Sequence, residues 1–276
     1  MTLKRCIFRF WVRLLERLTI IKPEVCELNT PTINQCKDKT LIFTVAFNNV
    51  TLIRYQNVFL RKNINDDFVY LVADNSSDIN IRKQIESYCS DENISYLSLP
   101  HNLLNHVGGS YSHAMCLNYV YKHVIKKCKP RIFGFIDHDL FPIKEVSIAD
   151  KLKNQPVYGP LRERGECWYM SAIMSFFRYD FMADKKVDFM PVKPFDQYLD
   201  TGGGNWAIYS TLNKKDILFP DELTEPFREG GARHSDMLEY FDNKTWLHTI
   251  NGSCWHEEAE GKGNMIRSIL TEYLKQ

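Results

Sequence analysis

The alternation of apolar, β-rich runs with amphipathic helical segments is the feature that most constrains the fold. The runs are TLIFTVAF (40–47), FVYLVA (68–73), ISYLSL (94–99) and RIFGFI (131–136). The segments between them have helical apolar spacing, at 50–63, 79–90 and 110–127. Strands that alternate with helices predict a largely parallel sheet with helices on both faces. After residue 145 this alternation ends, although KTWLHTI (244–250) still predicts a strand and the final residues a helix.

Three of these runs end in polar clusters. The clusters are Asn48-Asn49, Asp74-Asn75-Ser76-Ser77-Asp78 and Asp137-His138-Asp139. Ligands bind at the carboxyl ends of the strands in sheets of this kind. We therefore expect the three clusters to meet in one crevice.

Asp137 and Asp139 form a short, oxygen-rich site directly after a strand. Hard cations such as Mg²⁺ and Mn²⁺ take one or two carboxylates and complete their coordination with phosphate and water. The pattern therefore indicates a metal and diphosphate site. The alternative is a pair of turn or helix-capping aspartates, because this spacing often arises by chance. His138 is expected to point away, into packing or solvent.

Asp74 has two interpretations. A carboxylate at a strand end can accept hydrogen bonds from a ribose or a base. The residues that follow it are also those that a strand-to-helix turn requires, with Ser77 or Asp78 as the helix cap.

The first residues predict a basic amphipathic helix. Its basic side carries Arg5, Arg9, Arg13 and Arg17, and its apolar side carries Ile7, Phe10, Trp11, Leu14, Leu15, Leu18 and Ile21. Charges interrupt the apolar run, so it is too short for a membrane span. Such a helix is typical of an interfacial membrane anchor, and the alternatives are a packed terminal helix or a partner-binding helix. Pro23 ends it, and a polar linker over 27–39 follows, which divides the chain into 1–38 and 39–276.

Composition excludes some classes of protein. Basic and acidic residues nearly balance, at 35 and 34, which argues against a general nucleic-acid binder. None of the eight cysteines forms a CxxC pair, so a zinc knot is not expected. The chain shows no export signal, which favours reduced thiols and a cytoplasmic location.

The motifs FTVAFNN, VADNSSD, a Gly108-Gly109-Ser110 turn and FIDHDLFP, in this order, resemble family 2 glycosyltransferases of the GT-A fold. The resemblance covers about residues 40–145 and implies a nucleotide-binding half at 39–145 and an acceptor-binding half at 146–276. It implies that Asp137 and Asp139 hold Mn²⁺ or Mg²⁺, with Asp137 also contacting the donor. The implied contacts to the nucleotide-sugar donor are Ala46, Asn48, Asp74, Asn75 and Gly109.

An inverting transferase also needs a base that takes the proton of the acceptor hydroxyl. The resemblance places it downstream, and Asp200 is the preferred candidate, with Asp196 and Glu229 as alternatives. The glycines after Asp200, Gly203 among them, would let the backbone approach the sugar. The alternative for Asp200 is a helix cap.

A histidine from the C-terminal part often completes such metal sites in the GT-A fold. His256 is preferred over His248 because its aromatic and acidic neighbours suit a mobile lid. Trp206, Trp168 and Trp255 are candidates for stacking on a sugar, and core packing is their alternative role. Loop arginines at 162, 164, 228 and 233 are candidates for phosphate or an anionic acceptor.

The resemblance implies a metal-dependent, inverting transferase with a nucleotide-sugar donor and a glycan or lipid-linked glycan acceptor. It would act in bacterial surface polysaccharide (lipopolysaccharide or capsule) synthesis, as a peripheral protein on the inner face of the cytoplasmic membrane. A sugar nucleotidyltransferase is less suitable, because the loop after the first strand, FNNVTLIRYQ, lacks glycine. A non-catalytic, membrane-associated binding protein with the same fold is the remaining alternative.

Overall fold

The computed structural model describes residues 3–22, 26–28, 31, 33–228, 236–250 and 260–275. Its strands are β1 (Cys26–Leu28), β2 (Thr40–Ala46), β3 (Phe68–Asp74), β4 (Ser95–Ser98), β5 (Ile132–Asp137), β6 (Leu140–Pro142), β7 (Val157–Tyr158), β8 (Leu161–Arg164), β9 (Cys167–Met170), β10 (Met174–Arg178), β11 (Glu222–Pro226), β12 (Met237–Phe241) and β13 (Trp246–His248). Its α-helices are α1 (Leu3–Ile20), α2 (Ile33–Cys36), α3 (Val50–Asn63), α4 (Ile79–Asp91), α5 (Gly109–Val120), α6 (Lys126–Cys128), α7 (Ile148–Lys151), α8 (Tyr179–Met182), α9 (Trp206–Tyr209) and α10 (Glu260–Lys275). A π-helical turn, Tyr121–Ile125, joins α5 to α6.

The central sheet has the strand order β1-β4-β3-β2-β5-β10-β7. Strands β4, β3, β2 and β5 pair in parallel, while β1, β10 and β7 pair antiparallel at the two sides. The predicted mainly parallel α/β sheet is confirmed. The chain builds β2, β3 and β4 in one direction and then returns to place β5 on the other side of β2. Such a reversal opens a crevice at the carboxyl ends of the two middle strands.

Alternate side chains of the strands enter two cores on opposite faces of the sheet. Phe43 and Phe135 belong to the core that contains α5 residues and Val12 of α1. Ile42 and Ile136 belong to the core under α3 and α4. This alternation follows from the two-residue period of a strand. Both faces are therefore covered, and the sheet edge with the strand ends remains available for a site.

A smaller antiparallel sheet has the order β11-β12-β13-β6. Its strand β6 begins directly after Asp139, so the two sheets meet at the Asp137–Asp139 segment. Residues of α10, Ile266 and Leu270, pack with α3 and this sheet in a third core. The predicted strand near 244–250 and the C-terminal helix are both present. The junction between the sheets positions the site described below.

The segment predicted as a linker is partly structured. Strand β1 pairs antiparallel with β4, with Cys26 opposite Ser98, and Cys36 of α2 is fully buried. A three-residue strand is too short to show apolar alternation, which is why the sequence pattern missed it. Strands β7 and β10 also join the central sheet, so the boundary proposed at residue 145 does not separate two sheets.

Helix α1 is present as predicted, and it contacts α5. Among the described helices, none combines the length and apolarity that a bilayer span requires.

Candidate active site

A cleft of about 1360 Å³ lies at the carboxyl ends of β2 and β5, where the strand order reverses. Its wall includes Asp137, Asp139 and His248, with Asn75, Gly109 and Asp200 elsewhere on its lining. Polar clusters from two of the three strand ends thus reach one cavity.

Asp137, Asp139 and His248 form a compact group at the base of the cleft. One potential ligand atom from each lies within 4.8 Å of the others. The carboxylate Oδ1 of Asp139 is 3.2 Å from Nε2 of His248. Asp139 and His248 are buried, whereas the Asp137 side chain is 27% exposed and faces the cleft. The pairing of β13 with β6 places His248 opposite Leu140 and so beside Asp139.

Glu239 holds the other side of the His248 ring. It lies opposite His248 in the β12–β13 pair, and its carboxylate accepts a hydrogen bond of 2.7 Å from Nδ1. A carboxylate that binds one ring nitrogen orients the ring and fixes its tautomer. Nε2 of His248 is thereby directed at Asp139.

The acids and histidines of the group perturb one another. Burial, followed by the neighbouring charge of Asp139, raises the pKa of Asp137 to about 7. Burial alone would lower the pKa of His248, but the carboxylates of Asp139 and Glu239 outweigh it and raise the pKa to about 10. Three carboxylates therefore lie close together at the junction of the two sheets. A bound cation would offset the repulsion between their negative charges.

Two more histidines lie beside the acids. Nε2 of His113, on α5, is 3.6 Å from Oδ1 of Asp137, and burial followed by the charge of His138 lowers the His113 pKa to about 4. His138 is buried, and its Nδ1 accepts a hydrogen bond from the backbone N–H of Phe47. Burial also lowers the His138 pKa. The residue lines the cleft beside Asp137 and Asp139, so it does not point away from the site as the strand alternation led us to expect.

The residues present suit a divalent cation. Two carboxylates and one imidazole within 4.8 Å are a mixed oxygen and nitrogen donor set of the kind that Mn²⁺ accepts. The hydrogen bond from Nδ1 to Glu239 leaves Nε2 of His248 as the metal-facing atom. The metal prediction for His256 lies outside the described residues, so His248 enters as a ligand candidate without displacing it.

Asp74 does not reach the cleft, which corrects its predicted role as a donor contact. Its side chain is fully buried, and its carboxylate accepts hydrogen bonds from the Ser76 N–H and the Tyr96 hydroxyl. Burial raises the Asp74 pKa. This carboxylate shapes the turn that presents Asn75, whose amide bonds Ser112 at the cleft wall.

Ala46 and Asn48 also lie apart from the cleft lining. Ala46 is fully buried in the core under α3. Asn48 has a left-handed backbone, with φ of 49°, and its side chain binds the Ser77 and Asp78 backbone N–H groups. Asp78 caps α4, as one of the sequence interpretations held. Ala46 therefore packs in the core, Asn48 supports a turn, and neither is among the residues that line the cleft.

Among the three base candidates, Asp200 lines the cleft. Its Oδ1 accepts the Thr201 N–H, and its own N–H donates to the Tyr169 hydroxyl. Its charge acts on the titration of Asp137, which places the two groups in one electrostatic environment. Asp196 points outward with an 87% exposed side chain paired with Lys193, and Glu229 lies outside the described residues.

The glycines after Asp200 are required by packing, which corrects the prediction for Gly203. A Cβ on Gly203 would lie 2.3 Å from Cβ of Leu199, and a Cβ on Gly204 would lie 2.4 Å from the Asp188 carbonyl oxygen. Gly203 is buried and does not line the cleft. The close approach is therefore to the protein's own backbone and side chains.

The described tryptophans proposed for sugar stacking face other rings. Trp206 is half-buried and meets Phe195 edge-on, at 5.6 Å between ring centroids. Trp168 is buried and stacks on Tyr209. Neither lines the described cleft, and Trp168 has the core-packing role that was the alternative for it. Trp255 lies outside the described residues.

Two of the loop arginines, Arg162 and Arg164, lie on the cleft wall. Arg162 pairs with Glu222, which holds it in place at the entrance. Arg228 instead pairs with Asp236, and Arg233 lies outside the described residues.

Sequence reasoning missed Glu239 and His113. Glu239 is the only acid in the run MLEYF of β12, and an isolated acid between apolar strand residues indicates a buried partner. His113 lies in the first turns of a helix that opens on the cleft, but nothing in its local sequence distinguishes it.

No protein-family model and no curated protein matches this chain. Solved glycosyltransferases resemble its fold distantly. An active-site mutant of LgtC matches over 84% of this chain and 95% of its own length, at 11% identity and a TM-score of 0.46. The mannosyltransferase PcManGT from Pyrobaculum calidifontis, solved with GDP-Man and Mn2+, matches over 63% of this chain and 54% of its own, at 11% identity and a TM-score of 0.40.

The mannosyltransferase Ktr4p from S. cerevisiae matches over 63% of this chain and 66% of its own, at 8% identity and a TM-score of 0.38. The match with PcManGT covers only about half of the length of that protein. Similarity of this degree transfers neither residues nor activity.

Proposed function

We propose that the protein is a metal-dependent glycosyltransferase of the GT-A fold. It moves a sugar from a nucleotide-sugar donor to an acceptor hydroxyl. The observation that carries the proposal is the Asp137–Asp139–His248 group at the reversal point of a mainly parallel sheet, with Asp200 on the wall of the same cleft.

Asp137, Asp139 and His248 would hold Mn²⁺ or Mg²⁺. A divalent ion there neutralises a diphosphate leaving group. The amino end of α5 opens onto the cleft at Gly109, and helix amino ends favour anionic groups. Together these residues bind and orient the diphosphate of a donor, while Asn75 stands on the adjoining wall.

Asp200 would act as the base. In the proposed reaction its carboxylate takes the proton of the acceptor hydroxyl as that oxygen forms a bond to the anomeric carbon. The bond from this carbon to the diphosphate oxygen breaks, and the nucleoside diphosphate leaves with the electron pair. Attack from the face opposite to the leaving group inverts the anomeric configuration.

The cellular setting is also part of the proposal. An acceptor that is a glycan or lipid-linked glycan suits bacterial surface polysaccharide synthesis. A peripheral position on the inner face of the cytoplasmic membrane would bring the enzyme to that acceptor. The amphipathic character of α1 supports this location.

The test is the release of nucleoside diphosphate from a panel of nucleotide sugars, with Mn²⁺, Mg²⁺ or EDTA. We expect slow hydrolysis of one donor with metal and none with EDTA, because water replaces the acceptor inefficiently. Binding of a donor without release, even with glycan acceptors added, would instead support a non-catalytic binding protein. Absence of binding by every donor would reject the proposal.

Glu239→Gln should weaken metal binding. The amide keeps the shape of the side chain but loses the charge that orients His248, and loss of such a partner costs about 10–100-fold in metal affinity. We expect the Mn²⁺ concentration for half-maximal donor hydrolysis to rise by this factor, with most of the rate restored at saturating Mn²⁺. Glu225→Gln is the control. Glu225 lies on β11, the strand next to β12, and forms an ion pair with Lys244, so its substitution should leave this concentration unchanged.

A further inference from the structure

The apolar side of α1 points away from the body of the protein. Among the helix side chains whose burial is described (residues 6–20), Val12, Glu16 and Thr19 are buried. The large apolar side chains exposed on it are Ile7, Phe8, Phe10, Trp11 and Leu18, and Ile21 follows at its end. Phe10 is 65% exposed and Ile21 is 68% exposed. A helix that only packs on its own domain buries its apolar stripe, whereas most of this stripe is exposed and only Leu14 and Leu15 are partly buried.

The basic side of α1 supplies contacts to the body. Arg13 forms a salt bridge with Asp188, and Nη2 of Arg9 donates to the Lys193 carbonyl. Glu16 is the single acid in the helix, and its carboxylate accepts from Nδ2 of buried Asn118. Polar contacts and the packing of Val12, Leu15 and Ile20 on the core together attach the helix. The side that carries Ile7, Phe10, Trp11 and Leu18 remains exposed.

A second apolar element lies beside the first. Phe195 and Asp196 both have left-handed backbones, with φ of 46° and 61°, and the Phe195 side chain is 68% exposed. A bulky residue in this region is strained, and such strain concentrates at functional segments. The Arg9 contact to Lys193 places this strained turn next to α1.

Helix α1 connects to the cleft through a row of rings. Phe8 of α1 meets Tyr111 edge-on, at 5.9 Å between centroids. Tyr111 and Tyr198 each influence the pKa of the other, which places the two phenols close together, and Tyr198 lines the cleft with Asp200. The apolar side of α1 is therefore adjacent to the cleft mouth on the side of the proposed base.

We propose that Ile7, Phe10, Trp11, Leu18, Ile21 and Phe195 form one docking rim for an anionic phospholipid bilayer. The rim would set the cleft mouth at the lipid surface, so the acceptor is a lipid-anchored hydroxyl compound that enters from the bilayer. This acceptor class rests on the proposed glycosyl transfer. Docking of the rim on a bilayer does not depend on that proposed activity.

Charge selects the bilayer over a second copy of the chain. At helical spacing, Arg17 flanks the apolar side of α1, Lys22 follows just after the end of the helix, and the single acid of the helix is buried on the opposite side. An apolar stripe with aromatic residues and flanking cations complements the interface of an anionic membrane. Two such rims facing each other would bring like charges together.

The experiment is co-sedimentation of the full chain with vesicles of phosphatidylcholine, with and without phosphatidylglycerol. We expect binding to the anionic vesicles and about tenfold weaker binding without phosphatidylglycerol or in high salt, because the cations act through a screened field. The double variant Phe10→Ser/Trp11→Ser should lose at least about tenfold in partitioning, and Phe195→Ser severalfold, because each removes buried apolar area. Leu218→Ser removes a side chain that is 80% exposed beside the β7 edge, and it should bind as the wild type does.

Circular dichroism and thermal unfolding of each variant establish that the fold is kept. Equal binding by wild type and both rim variants, or no binding by the wild type, would overturn the docking rim. Light scattering gives the molar mass of the wild type and of the rim variants. If the variants change in molar mass while their vesicle binding stays that of the wild type, the rim serves self-association, which would also overturn the proposal.

The donor hydrolysis assay in vesicle-free buffer separates the two proposals. Rim variants that hydrolyse the donor at the wild-type rate but bind no vesicles leave the glycosyltransferase intact and support the rim. The acceptor class is tested by transfer of labelled sugar to vesicles made from the lipid of the source cells. Label in the organic phase with wild type, reduced at least about tenfold with Phe10→Ser/Trp11→Ser, supports it, and equal labelling would overturn it.

Discussion

Asp139→Asn should reduce metal-dependent release of nucleoside diphosphate at least about 100-fold. Loss of a residue that only hydrogen-bonds a metal ligand lowers metal affinity or activity about 10–100-fold, and loss of a ligand itself should lower it further. The substitution keeps the volume of the side chain and removes its charge. Asp139 is buried between β5 and β6, with Oδ1 at 3.2 Å from Nε2 of His248. A neutral amide in this place binds a hard cation weakly.

The measurement is donor hydrolysis over a Mn²⁺ titration, together with thermal unfolding in the presence and absence of Mn²⁺. Wild type should be stabilised by the ion, since a ligand that binds only the folded state raises the unfolding temperature. The variant should show little stabilisation. Asp67→Asn removes a 73% exposed carboxylate at the far end of β3 and should change neither quantity. A variant at position 139 with wild-type hydrolysis and wild-type stabilisation would exclude Asp139 as a ligand.

Asp200→Asn should separate catalysis from binding. Loss of a positioned base lowers the rate by about 10²–10⁴-fold, whereas donor and metal affinity should stay close to those of the wild type. The residue lines the cleft but is not among the three clustered ligand candidates. The same hydrogen bond from the Thr201 N–H can be accepted by the amide oxygen, so the loop should keep its shape.

Asp196→Asn is the matched control for this prediction. It lies four residues earlier in the same loop, and its side chain is 87% exposed outside the cleft. We expect full transfer activity, measured with the donor identified in the panel and a glycan acceptor. Full transfer by the Asp200 variant, or its loss in the Asp196 variant, would move the base to another residue.

The parallel sheet and the position of its cleft could be predicted because each strand carries its own local pattern. Phe43 and Phe135 each lie in a short β-rich run, and polar residues follow the end of each run. Because the strands are parallel, these polar residues come to the same edge of the sheet. Asp137 and Asp139 were found for this reason. These inferences need no knowledge of residues that are distant in the chain.

The remaining parts of the site depend on pairings that no local pattern contains. His248 reaches Asp139 because β13 pairs with β6, and Glu239 reaches His248 because β12 pairs with β13. Asp74 was misassigned for a related reason. The local sequence around a strand-end carboxylate is the same whether that carboxylate faces a ligand or a buried tyrosine such as Tyr96. Burial, in both cases, is decided by the tertiary fold.

The meeting of two sheets at residues 137–139 has a consequence for how the chain can be divided. A fragment that ends before β13 would contain both aspartates and the whole reversal point, yet it would lack the imidazole that completes the group. The portion proposed to bind the nucleotide therefore cannot be moved to another chain with a complete ligand group. Under the proposed function, swapping C-terminal segments between such chains would exchange one of the proposed metal ligands along with any acceptor preference, so a chimera would inherit both properties together.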